Sequence, residues 1–137
     1  MENIFVDTSA FYSLVNKGES EHYRVKEFIE NNTLPLLTTN FIFAETISLI
    51  TKRLGKIFAL KFGSGLKKSE RLKIINISEE YEEEAWELFS GYKDKDFDYI
   101  DATSFVFMKR MSIKKALSLD IHYSQMNFIM LPEVKKF

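Results

Sequence analysis

The sequence predicts an α/β protein: one three-layer domain whose mostly parallel, twisted sheet of four to five strands is flanked by helices. Short apolar, β-leaning runs alternate with segments whose apolar residues recur at helical spacing, the pattern of parallel strands joined by helical crossovers. The length, 137 residues, is that of one domain. No internal repeat, low-complexity tract or linker interrupts it, so residues 1–137 are expected to form a single unit.

The elements follow in order. Ile4-Phe5-Val6 reads as a strand, then Asp7-Thr8-Ser9 leads into a helix over Ala10–Asn16. Val25, Phe28 and Ile29 set a helical period within Glu19–Asn31, which stops at Asn31-Asn32. Leu34–Leu37 is a short strand, and Thr38-Thr39-Asn40 offer polar side chains to cap a helix over Phe41–Leu54. A further helix over Lys56–Lys67 contains Gly63 and Gly65 and is the least supported by propensity. Leu72–Ile77 is a strand, and Ser78-Glu79 opens a helix to Ser90 with acids in its first turn. A helix from Ile100 to Met111 follows an acidic loop. Ala116–Leu119 is a strand, Ile121–Gln125 a helical turn, and Phe128–Leu131 a last strand.

Composition excludes several classes. There is no cysteine, so disulfides and thiolate metal sites are ruled out, and a reducing compartment fits. No apolar run approaches the roughly 20 residues of a membrane-spanning helix. The chain enters a strand-like run directly after Met1-Glu2-Asn3, so no secretory leader is expected. A cytoplasmic protein with no membrane partner is the expectation. Thirteen phenylalanines point to a Phe-rich core, and Trp86 is read with them as core rather than as a base-stacking platform. The net charge of −1 is unevenly placed: lysines and arginines crowd residues 52–73, while glutamates crowd 79–87. The basic stretch is either a solvated helix face or a surface for a phosphate backbone.

In an open parallel sheet, ligands bind in the crevice outside the carboxyl ends of the strands. Asp7 directly follows the first strand and Asp120 the fourth. Each also precedes a helical segment and has the alternative role of an N-cap. Glu45 is harder to explain by local structure. Its neighbours Phe41, Ile42 and Leu49 are apolar, and a carboxylate among them is costly to bury without a cation or strong hydrogen bonds. A salt bridge to Lys52 or Arg53 is its alternative. Asp101 opens the helix containing Phe105 and Met108, where it too has the alternative of a cap.

Other chemistries fail on inventory. Asp94-Lys95-Asp96-Phe97-Asp98 resembles the start of a calcium loop, but Tyr99 and Phe105 occupy the places that need Gly and Glu. Phosphate-binding and dinucleotide glycine motifs are missing, as is a Gly-x-Ser-x-Gly elbow, and only His22 and His122 are available for a histidine-based triad. Carboxylates without partners remain, and hard divalent cations suit oxygen ligands.

Four segments together resemble the PIN-domain family, in family order and across nearly the whole chain. They are Ile4–Ala10 around Asp7; Thr38-Thr39-Asn40 with Ala44-Glu45; Tyr99–Phe105 around Asp101; and Ala116–Tyr123 around Asp120. The closest likeness is to the compact prokaryotic branch that includes VapC-type toxins. The resemblance implies that Asp7, Glu45, Asp101 and Asp120 hold one or two Mg²⁺ or Mn²⁺ ions, some through water, for cleavage of RNA to 5′-phosphate and 3′-hydroxyl ends. It also implies a cognate antitoxin protein as partner and a homodimer as an available assembly. Thr8 or Ser9, and Ser118, look like hydroxyls that orient these carboxylates, with helix-cap or turn bonds as their alternative.

Three positions depart from the family pattern. Asp98 stands where Ser is common, and adds an acid that either supplements the metal ligands or supports them from behind. Asn127-Phe128 replaces a common Gly-Phe, and Tyr123 replaces a common Phe. His122 is read as a packing residue. The alternative to a nuclease is a PIN-fold RNA- or protein-binding module without turnover. A phosphorylatable receiver domain would need paired acids after the first strand, and Asp7 stands alone there.

Overall fold

The computed structural model describes residues 2–133. Five strands, β1 (Ile4–Val6), β2 (Leu36–Thr39), β3 (Leu72–Ile75), β4 (Lys115–Leu117) and β5 (Ile129–Leu131), form one sheet in the order β3-β2-β1-β4-β5. Every neighbouring pair is parallel. Seven helices flank it among the described residues: α1 (Thr8–Val15), α2 (His22–Asn31), α3 (Asn40–Leu54), α4 (Lys56–Lys68), α5 (Glu79–Gly91), α6 (Tyr99–Arg110) and the single turn α7 (His122–Gln125). The fold is the expected α/β architecture.

The central strand explains the order. Ile4, Phe5 and Val6 are wholly buried, as a parallel strand covered on both faces must be. β1 pairs with β2 on one side and β4 on the other, so the chain reverses direction of travel across the sheet at β1. That reversal opens a crevice at the carboxyl ends of β1 and β4.

Several strand ends differ from their sequence reading for one reason: a parallel strand stops where its neighbour leaves the sheet. β4 ends at Leu117, not Leu119, because its partner β1 ends at Val6 and the chain turns into α1 at Asp7. Asp120 therefore lies three residues beyond the strand, on a short loop. β3 ends at Ile75, paired with Thr39, and Ile77 instead donates its N–H to the Asn40 side chain at 2.8 Å. β2 begins at Leu36, after Pro35, and continues through Thr38 and Thr39, both fully buried. Thr38 donates its hydroxyl to the Val6 carbonyl at 2.8 Å, and the Thr39 hydroxyl caps α3 by accepting from Ile42 N–H at 3.2 Å. β5 begins at Ile129, because Phe128 bonds back to the Tyr123 carbonyl.

The glycine-containing helix forms. Gly55, at φ +101°, separates α3 from α4 in a conformation that L side chains rarely adopt. A Cβ on Gly63 would lie 2.9 Å from Ile47 Cδ1, so glycine there lets α4 settle closely on α3. Asn127 lies at φ +70°, a region asparagine tolerates and glycine favours; the departure from Gly-Phe keeps the turn.

Phe5, Phe11, Phe97, Phe105 and Phe107 are buried, as a Phe-rich core requires. Trp86 is not. It is 60% exposed, because α5 turns Ala85 inward and leaves Trp86 on the outer face, edge-on to Tyr99 and near Phe89. No helix of the described residues is long and apolar enough to cross a membrane.

Candidate active site

A cleft of about 380 Å³ opens beside the carboxyl ends of β1 and β4, lined by Asp7, Glu45, Asp98, Asp101 and Asp120 together with Glu19 and Arg53. The four sequence-predicted acids come from four places. Asp7 ends β1, Glu45 lies in the second turn of α3, Asp101 sits in the first turn of α6, and Asp120 follows β4.

Asp7 is 4% exposed and precedes α1, yet its side chain caps no helix N–H. Its carboxylate is held by three hydroxyls instead. Ser9 and Ser118 donate to Oδ2 at 3.0 and 2.9 Å, and Tyr123 donates to Oδ1 at 3.0 Å. Ser9 also accepts from Leu119 N–H, and Ser118 from Asp120 N–H. The same two hydroxyls thus tie the Asp120 loop to the Asp7 carboxylate. Burial raises the Asp7 pKa, and the hydroxyl bonds partly offset it.

Glu45 has no ion pair among the described residues, so a salt bridge to Lys52 or Arg53 is not its explanation. Arg53 instead lies over the Tyr12 ring, 5.0 Å from its centroid. The Thr8 hydroxyl lies where it lowers the Glu45 pKa and accepts from Thr46 at 3.1 Å, which links the start of α1 to α3. Burial raises the Glu45 pKa, the Thr8 hydroxyl lowers it, and the charges of Asp7, Asp98 and Asp120 raise it again.

Asp98 and Asp101 form a capping box on α6. Asp101 N–H donates to Asp98 Oδ1 at 2.8 Å, and Asp98 N–H donates to Asp101 Oδ2 at 3.0 Å. Asp101 therefore caps the helix with one oxygen, and its carboxylate also lines the cleft. Burial, with Asp98, Asp120 and Asp7 nearby, pushes the Asp101 pKa up to about 8 despite the backbone bond. Asp120 accepts from His122 N–H at 3.0 Å, so it also serves the entry to α7.

Sequence reasoning missed three features. Tyr123 is fully buried behind Asp7, although its departure from Phe marked it. Glu19 enters the cleft because α2 begins at His22, leaving residues 17–21 as a turn that passes the site. His122, read as packing, turns Nδ1 toward the acids, 2.9 Å from Asp120 Oδ1 and 3.8 Å from Asp101 Oδ2. That nitrogen is buried and makes no aligned hydrogen bond.

No lysine or arginine forms an ion pair with Asp7, Glu45, Asp98, Asp101 or Asp120 among the described residues. Two such charges about 4 Å apart repel by ~4 kcal/mol at an effective dielectric of 20. A divalent cation suits this set: oxygen donors predominate, burial together with neighbouring acid charge raises the pKa of Glu45 and Asp101, and Asp101, Asp120 and His122 can each offer one ligand atom within 4.8 Å of the others.

The PIN domain family profile matches residues 4–129. Over 126 residues, 92% of this chain and 95% of the relative, the sequence is 29% identical to the 23S rRNA-specific endonuclease VapC20 of Mycobacterium tuberculosis. The crystal structure of VapC20 from that species, described as a Sarcin-Ricin loop cleaving toxin, matches with a TM-score of 0.87 and 28% identity over 92% of this chain and 96% of that one. VapBC2 from Rickettsia felis, crystallised with a promoter DNA fragment, shares the fold at a TM-score of 0.68 and 16% identity, with 93% of this chain and 96% of that one covered.

Proposed function

The chain belongs to the PIN-domain family, and from that premise we propose that it is a Mg²⁺- or Mn²⁺-dependent endoribonuclease, the toxin of a type II toxin–antitoxin pair. One observation carries the reading: Asp7, Glu45, Asp101 and Asp120, from four separate elements, line one cleft with no lysine or arginine ion pair among the described residues. The likeness to an rRNA endonuclease supports RNA as substrate and makes ribosomal RNA the first substrate to test. The toxin likeness supports a cognate antitoxin that holds the activity in check.

The four acids would hold the cation, with Asp98 and Glu19 adding negative charge at the rim. When bound, the metal supplies Lewis acidity toward the scissile phosphate and lowers the pKa of an attacking water. The chain's own residues do the rest. Ser9, Ser118 and Tyr123 fix both oxygens of Asp7, so that carboxylate is oriented before substrate arrives. Arg53 is the one lysine or arginine lining the cleft among the described residues, and its guanidinium would receive a phosphate next to the cut bond.

Cleavage of ribosomal RNA by the purified protein in Mg²⁺ or Mn²⁺, measured on gels, tests the assignment. Loss of cutting in Asp7→Asn and in excess EDTA is the expected result. Metal-dependent cleavage absent from every RNA tried, with tight RNA binding retained, would make the chain a binding module instead.

A further inference from the structure

The inference rests on the metal-dependent reading above and concerns the nitrogen that reading does not use. His122 is the first residue of α7, and its backbone N–H is anchored on Asp120 Oδ1 at 3.0 Å. The anchor holds the ring edge against Asp101 and Asp120. Nδ1 is shielded from solvent, lies within 4 Å of carboxylate oxygens on both Asp101 and Asp120, and has no hydrogen-bond partner. A buried polar atom left unbonded is unfavourable, so its position calls for a partner. The 2.9 Å approach to Asp120 Oδ1 lacks the alignment of a hydrogen bond, which leaves Nδ1 facing the point where Asp101 and Asp120 converge.

We propose that His122 Nδ1 is a nitrogen ligand which, with Asp101 and Asp120, holds one of the divalent ions and biases the site toward Mn²⁺ over Mg²⁺. Asp101, Asp120 and His122 can each offer one ligand atom within 4.8 Å of the others. Imidazole suits first-row transition metals, whereas Mg²⁺ favours carboxylate, carbonyl and water oxygens. A site of carboxylates alone discriminates little between the two ions; one imidazole donor changes that.

The test uses the full chain and the metals alone. Mn²⁺ binding is followed by electron paramagnetic resonance, Mg²⁺ by competition, and the ligand by electron spin-echo modulation of the bound Mn²⁺. The wild-type protein is expected to show histidine ¹⁴N modulation and to bind Mn²⁺ at least about tenfold more tightly than Mg²⁺. His122→Gln should lose the ¹⁴N modulation and weaken Mn²⁺ about tenfold or more. Its Mg²⁺ affinity should change by less than about twofold. Bound Mn²⁺ without nitrogen modulation in the wild-type protein, a measurement that needs no variant to fold, overturns the assignment of His122 and leaves the nuclease reading standing. Failure of the wild-type protein to bind either ion overturns both.

Discussion

Tyr123 donates its hydroxyl hydrogen to Asp7 Oδ1 at 3.0 Å, joining a fully buried ring on α7 to the carboxylate at the end of β1 across 116 positions of sequence. The ring packs against Phe105, with centroids 5.0 Å apart, and against Phe5 at 6.2 Å. The aromatic core therefore sets where the hydroxyl points. A phenylalanine would fill the same space without fixing the acid.

Tyr123→Phe separates those roles. The variant should fold, lose about 1.5–3 kcal/mol in urea unfolding, the range for a hydrogen bond to a charged group, and bind metal about 10–100-fold more weakly. Isothermal titration with Mn²⁺ measures the second effect. Unchanged affinity would mean that Ser9 and Ser118 suffice to orient Asp7.

Metal-free stability should fall as pH rises. Burial and the neighbouring acids raise Asp101 to about 8 from the ordinary 3.8, so the folded state holds that proton more tightly than the unfolded chain. Its contribution is complete below about pH 4 and is lost as pH climbs toward about 8. In EDTA, the melting temperature of the wild-type protein should decline over that window relative to Asp101→Asn, which cannot ionise there. Parallel melting curves for the two proteins would contradict the shift.

Saturating metal should reverse that decline. An ion that binds only the folded chain adds ~2.7 kcal/mol of stability at 100 times its Kd, and the gain should grow with pH as protons cease to compete. Calorimetry with Mg²⁺ and Mn²⁺ at pH 6 and pH 8 checks this. A melting temperature indifferent to both ions would count against the cleft as a metal site.

Asp98→Ser distinguishes helix capping from a contribution to the site. Serine caps about as well as aspartate, so stability should change by less than about 0.5 kcal/mol. The substitution removes one of the charges that raise Glu45 and Asp101. If Asp98 acts only through the cap, cleavage persists; a loss of cleavage with stability intact would give Asp98 a direct role.

Gly63→Leu should push α4 from α3 and cost about 1–3 kcal/mol, as overpacking does, because a Cβ there already meets Ile47. Chemical denaturation reads it directly. Cleavage per folded molecule should be unaffected, since Gly63 lies outside the acidic cleft.

The alternation of apolar runs was enough to place five strands and the helices between them, because period-2 and period-3.6 patterns are local properties of the chain. Family order supplied the four acids. Residue spacing could not reveal that Asp7 caps nothing, that Asp98 and Asp101 cap each other while lining the cleft, or that Glu19 enters it. Strand ends were misjudged at Leu119 and Ile77 because a parallel strand is terminated by its neighbour's departure, and neighbours in this sheet lie far apart in sequence, and at Phe128 because its N–H turns back to the Tyr123 carbonyl. The exposed Trp86 was missed because composition does not say which side of a helix faces solvent. The sequence alone determined which residues carry charge and which runs can be buried. Only the tertiary structure decided which hydroxyl meets which carboxylate and where a ring nitrogen is left without a bond, because hydrogen bonds depend on distance and direction between atoms that the chain order keeps apart.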